Sequence, residues 1–172
     1  SDWSSDVCSS DLALIATERD PALVDRTAGQ QAFTVVRLTS ELLDAWSESP
    51  PAVLRSGGLS VRDLGRTASL LDLDEAAAAL IIEISYAAGL LAADGEIDEA
   101  WCPTPAYDVW LTRPTSEQWT LLAQTWLSMT RAPALVTDRD DAGGRLNALA
   151  RDLDRSLAPE ARRAVLDRKS VV

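Results

Sequence analysis

Three acidic clusters and one thiol are the groups in this chain whose types and spacing suggest chemistry. Asp74-Glu75 follows Leu70, Leu71 and Leu73, in the form of the acidic pair that closes a nucleotide-binding strand. Such a pair acts beside a phosphate loop, GxxxxGKS/T, whose lysine reaches the β- and γ-phosphates, and the one lysine here is Lys169, near the C-terminal end. An Ala-rich run follows at once, so Asp74 is expected to cap a helix. Asp138, Asp140 and Asp141 suggest a calcium loop, and the sixth position counted from Asp138 is the required glycine, Gly143. The twelfth, which needs a bidentate Glu, is Leu149, so this stretch reads as a solvated turn. Asp94, Glu96 and Asp98 fail sooner, with Glu99 where the glycine belongs. Cys102 has neither His nor Lys to depress its pKa and is expected to be a structural thiol.

The composition narrows the classes further. With 16 Lys plus Arg, 27 Asp plus Glu, no His and two Cys in 172 residues, imidazole-based triads and mixed-ligand zinc sites are excluded. Two cysteines build neither a disulfide framework nor a four-thiolate site. The sequence calls for no metal and no cofactor. Apolar residues make up 47%, enough for the core of one or two small domains. No apolar run approaches the ~20 residues of a membrane span, and there is no secretory core segment, so a cytoplasmic protein without membrane contact is expected.

Both ends read as something other than protein. Residues 1–12, SDWSSDVCSSDL, and residues 167–172, DRKSVV, look like in-frame translations of sequencing-library adapter, and scars of that kind are set aside before a fold is argued. The natural segment is then expected to run from Ala13 to Leu166, cut short by the adapter. It has 14 basic and 23 acidic residues, net -9, with all its positive charge on arginine and Cys102 as its one thiol.

The elements that position these groups are mainly helical. From Thr27 to Trp46 the residues Ala32, Val35, Val36, Leu42, Leu43 and Trp46 form an amphipathic stripe, ended by Pro50-Pro51. Val53 and Leu54 suggest a short strand before the Gly57-Gly58 turn. Ser60 and Asp63 form a capping box for a second helix carrying Val61, Leu64, Ala68 and Leu71. A third helix follows from Glu75 to Leu90, with Ala77, Leu80, Ile81, Ile84, Ala88 and Leu91 on its buried face and Glu75 and Glu83 as its charges. Leu90–Ala92 and Ala100–Cys102 flank an acidic loop, as in a β-hairpin. Thr104-Pro105 opens a short helix to Leu111. Thr115 and Gln118 form a further capping box, before a helix faced by Trp119, Leu122, Ala123, Trp126 and Leu127 and ended by Pro133. Residues 131–166 are loop-like, with a last helix after Pro159. This order predicts a mainly α fold, a winged helix-turn-helix with a short hairpin wing over 13–112 and a helical extension over 113–166.

Five stretches carry a family resemblance: PALVDRTAGQQAF at 21–33, PPAVLRSGGLSVRDL at 50–64, SYAAGLL at 85–91, CPTPAYDVWL at 102–111 and LNALARDLDRSLAPEARRAVL at 146–166. Together they resemble bacterial helicase-associated proteins, named for the N-terminal region of XPB-type DNA repair helicases, over nearly all of 21–166. The resemblance implies a non-catalytic winged-helix accessory region within a longer protein linked to DNA transactions.

Fold and charge pull in opposite directions on DNA. Phosphates are met by Arg and Lys, and bases are read by Arg, Lys, Asn or Gln, yet the third helix offers none of these between Asp74 and Leu91, and the wing is acidic. Arg55, Arg62 and Arg66 form one candidate patch, with Arg62 and Arg66 a turn apart. Arg151, Arg155, Arg162 and Arg163 form another, in a tail that carries 7 Arg against 6 acids where 13–130 carries 7 against 17. Two functions remain: a helicase-supporting region with weak, non-specific DNA contact through these arginines, or a protein-interaction module packing against other domains of its own full-length chain. Deleting 1–12 and 167–172 is expected to shift the melting temperature by less than about 2 °C, the scale of surface changes. A larger loss in calorimetry would mean that those residues belong to the folded protein.

Overall fold

The first helix begins earlier than its apolar stripe suggests, because Asp20-Pro21 starts it: Asp20 Oδ1 accepts the Ala22 N–H at 3.0 Å and Pro21 takes the first helical position, where its missing donor costs nothing. In the computed structural model, which describes residues 18–139 and 141–169, this helix is α1, Pro21–Glu48. The readings of 1–12, of Ala13 as the natural start, of Asp140 and of 170–172 lie outside the described residues.

The chain is mainly helical with one small antiparallel sheet. α2 is Val61–Leu71, α3 Glu75–Ala87, β1 Leu91–Asp94, β2 Ala100–Pro103, α4 Pro105–Leu111, α5 Thr115–Ser128 and α6 Ala158–Lys169, with 3₁₀ turns at Pro133–Leu135 and Arg151–Leu153. The helix, turn, helix and hairpin follow in the expected order. Ser60 Oγ accepts the Asp63 N–H at 3.0 Å, and Asp74 Oδ1 accepts that of Ala77 at 2.7 Å. Between α2 and α3 Asp72 turns the chain at φ 54°, a left-handed conformation that Asp tolerates better than most residues. The hairpin pairs Ala92 with Cys102 and Ala93 with Trp101.

Four local expectations are corrected. Val53 and Leu54 form no strand: the pairing there is a single bridge, Ala52 to Ala100, since the Leu54–Gly58 turn begins at once. Thr115 and Gln118 form no capping box, because Pro114 holds the cap position and the Gln118 amide is engaged elsewhere, donating to the Trp110 carbonyl at 3.0 Å while Trp110 Nε1 donates to the Gln118 carbonyl at 3.2 Å. α5 ends at Ser128, before Pro133, where Met129 turns extended. α6 continues past Leu166 to Lys169, through three residues assigned to adapter.

The largest difference concerns α3. Ala78, Ala79, Ile81, Ile82, Glu83, Ile84 and Ser85 are all buried, and Ala76, Tyr86 and Ala87 are its exposed residues. A helix apolar on every side belongs inside a core, and here α1, α2, α5 and the 3₁₀ turn at Pro133 pack around it. The loop-like stretch after Arg131 completes the enclosure. Leu59 N–H donates to the Ala148 carbonyl at 2.8 Å, and Ala132 N–H to that of Leu153 at 3.0 Å. Gly58, at φ 90°, admits this close approach: a Cβ there would lie 2.9 Å from the Ala148 carbonyl oxygen, so any side chain would force the two strands of backbone apart. One cluster of buried apolar residues thus runs from Val36 to Leu153. Among the described residues no helix is long and apolar enough to cross a membrane.

α4 is anchored to α1 by Tyr107, whose hydroxyl lies 2.8 Å from Asp44 Oδ1 and 3.2 Å from the Ser40 carbonyl. Burial first, and then the hydrogen bond and charge of Asp44, push the phenol well above its ordinary range. A raised pKa stabilises the fold below the unfolded value of ~10, and that contribution is lost as pH rises beyond it. Tyr107→Phe is therefore expected to unfold at lower urea than wild type at pH 8, by about 1 kcal/mol, and to close the gap by pH 11. An equal gap at both pH values would show that Asp44 does not hold the phenol protonated.

Candidate functional site

Glu83 sits in the middle of α3 with no exposed surface, and an unpaired carboxylate there would be prohibitively costly. Its partners come from far along the chain. Arg131 Nε donates to Oε2 at 2.7 Å and Nη2 to Oε1 at 3.1 Å, while the Leu149 N–H donates to Oε1 at 2.5 Å. Leu149 is held at φ 61°, a strained conformation for a branched side chain. Burial alone would lower the Arg131 pKa, but the hydrogen bonds and charge of Glu83, with Asp154 at 3.7 Å, outweigh it and raise the value. The guanidinium also lies over the Tyr86 ring, 5.5 Å from its centroid. Buried charges mark functional sites often enough to be examined. This pair is buried, with three hydrogen bonds to the carboxylate, and so holds structure together.

The arginines proposed for phosphate contact divide by what they already hold. Arg162 is half-buried over the Trp126 ring, its Nη1 donating to the Trp126 and Met129 carbonyls and its Nη2 to that of Arg131 at 2.5 Å, and burial lowers its pKa. It caps the end of α5. Arg155 Nη1 donates to the carbonyls of Asp152 and Asp154. Arg66 pairs loosely with Asp63 at 3.6 Å. Arg55, Arg62, Arg151 and Arg163 are exposed. Fold geometry brings members of the two patches together: the Arg151 side chain lies against Gly57, within 4 Å of where a Cβ would stand, in the turn that carries Arg55.

Three members of the acidic clusters have local roles. Asp74 caps α3 and Glu75 pairs with Arg145 at 3.3 Å. In the stretch after Asp138, Arg139 Nη1 donates to the Gly143 carbonyl at 2.8 Å. Asp94 accepts the Gly95 N–H at 2.9 Å. Cys102 lies in β2, its thiol pushed up by burial and then by Asp94, the reverse of what a nucleophile needs. Among the described residues no three metal-ligating side chains converge.

What the sequence did not single out is a notch of about 360 Å³ between α1, α3, α5 and α6, walled by Val35, Leu80, Ile84, Trp119, Trp126 and Leu127. Trp119 and Trp126 were expected on one face of their helix; that face stays half open to solvent. Beside the notch α1 continues outward, with every residue from Pro21 to Gln31 exposed. No family model, curated protein or solved structure matches the chain.

Removing Glu83 leaves Arg131 buried without its counter-charge, so Glu83→Ala is expected to cost ~3–5 kcal/mol in urea unfolding. The double variant Glu83→Leu/Arg131→Met should recover most of that loss. A single-variant loss under about 1 kcal/mol would show that the pair does not hold the core.

Proposed function

We propose that the chain is a non-catalytic interaction module, a winged-helix-like accessory region that meets protein through an apolar surface and does not read DNA bases. The carrying observation is the notch, a concavity in which two tryptophans and several aliphatic side chains stand together and partly open to water. Exposed apolar concavities of this kind mark contact surfaces. Enclosure of α3 supports the same reading, since a recognition helix needs a free face to enter the major groove. The bridge from Ala52 to Ala100, which adds a third short pairing to the hairpin, supports the winged-helix-like description. The link to a helicase-associated, DNA-repair context rests on the resemblance of the five sequence stretches, and a cytoplasmic place of action goes with it.

A subsidiary role in DNA contact is favoured by one feature, the meeting of Arg151 with the Arg55 turn. With a net charge of -11, such contact is non-specific at best, at or weaker than ~10⁻⁴ to 10⁻⁶ M.

Two measurements test the reading together. An apolar fluorescent probe, 8-anilinonaphthalene-1-sulfonate, should bind the native protein at the notch and lose most of its signal in Ala123→Glu. Duplex DNA followed by anisotropy at low salt should bind no tighter than the micromolar range, unaffected by Tyr86→Ala, with a flatter salt dependence in Arg55→Gln/Arg151→Gln. Sequence-specific binding below a micromolar that disappears in Tyr86→Ala would overturn the proposal, as would probe binding indifferent to Ala123→Glu.

A further inference from the structure

A second concavity lies where the last two turns of α1 meet β2 and α4. It measures about 390 Å³ and shares no lining residue with the notch. Two carboxylates, Asp44 and Asp108, stand in its lining beside Pro103, Pro105 and Leu111. Tyr107 fixes Asp44 through the 2.8 Å bond to Oδ1. Among the described residues nothing donates to Asp44 Oδ2, and the Asp108 carboxylate takes part in no hydrogen bond or ion pair. After burial and Asp44, the charge of Asp108 is a further cause that raises the Tyr107 pKa, so both carboxylates act on one phenol. No lysine or arginine lines the cleft, and residues 1–17 contain none.

The electrostatics of α1 point to what is missing. The C-terminal end of a helix is its negative end and is stabilised by cations. α1 closes with Asp44 and Glu48 four residues apart and has no basic residue in its last turn, so like charges are placed together where the helix disfavours them. Departures from a local rule of this kind are expected at functional sites. We infer that the cleft receives a cation from outside the chain, the guanidinium of an arginine side chain on a partner protein. A planar guanidinium donates to two carboxylate oxygens at once; Asp108 offers both of its oxygens and Asp44 one. The apolar stem of arginine packs on apolar surface while its charge meets a partner, and Pro103, Pro105 and Leu111 supply that wall. Other ligands fit less well. Calcium takes about six to eight oxygen ligands, and among the described residues no three metal-ligating side chains converge. Nucleic-acid phosphates are repelled by the same charges that draw a guanidinium.

The test is an NMR titration of the full chain with Nα-acetylarginine-N-methylamide, followed at the backbone amides of Ser47, Thr104 and Tyr107. Saturable shifts at all three are expected, and none with the citrulline analogue, which keeps the shape and lacks the charge. Asp108→Asn, at a carboxylate that makes no bond of the fold, should raise the dissociation constant about fivefold or more, the effect of removing a hydrogen bond between charged groups. Asp25→Asn, an exposed change of the same charge on the outer part of α1, should leave it unchanged. Shifts that do not saturate, equal binding of the citrulline analogue, or equal sensitivity to Asp25→Asn and Asp108→Asn would overturn the inference. Equal binding of the lysine analogue would overturn arginine as the cation. The fluorescent probe reports on the notch alone, so this inference and the interaction-module reading can each fail without the other.

Discussion

A carboxylate sealed away from water dictates how this chain is put together. Glu83 lies in the centre of the central helix, and a charge in that position survives only with its partners in place. Those partners are 48 and 66 residues downstream, so the helix, the stretch after α5 and the turn at Leu149 are obliged to meet at one point. The tie is extended by a second arginine: the Arg131 carbonyl is itself held by Arg162, which also collects the last carbonyls of α5. A line of charge-assisted hydrogen bonds therefore runs from α3 through Arg131 to α6, and elements with little regular structure between them are fixed by it.

That arrangement changes what an otherwise familiar order of elements offers to solvent. Helix, tight turn, helix and hairpin can present the second helix of the pair to a partner; here the same helix is roofed over by residues 146–153 and the exposed resources lie elsewhere. They are the apolar notch on one side and a few arginines around the Gly57 turn on another. Order of elements and surface chemistry are separable properties, and it is the surface that selects partners.

Local signals were the legible part of the sequence. Ser60 with Asp63, Asp74 before the alanines, the Gly57-Gly58 turn and the alternating hairpin each act within a few residues, so their physics is complete in a short window. The start of α1 was also written locally, in Asp20-Pro21, but its first three turns are exposed and so lack the strong contrast of Val35 to Trp46. Gln118 satisfied the spacing of a capping box and was claimed instead by Trp110, a competition no window of four residues can express. Glu83 was readable as a charge on the third helix, and its neighbours Ile81, Ile82 and Ile84 were the hint that it had no solvent side. Its match with Arg131 could not be found that way, because the pairing is made by tertiary geometry. The same holds for the 133–157 stretch, whose irregular text conceals residues that the core depends on.

The hydrogen bond from Leu149 to Glu83 also sets an order of events during synthesis. A growing chain reads out α1 to α5 before Arg131 emerges, and Leu149 comes later still. Until then the central carboxylate of α3 lacks the partners that offset its burial. Final closure therefore waits for a residue well past the last apolar residue of α5, and the interval is one in which the unsatisfied apolar face of α3 is open to chaperones and to misassembly.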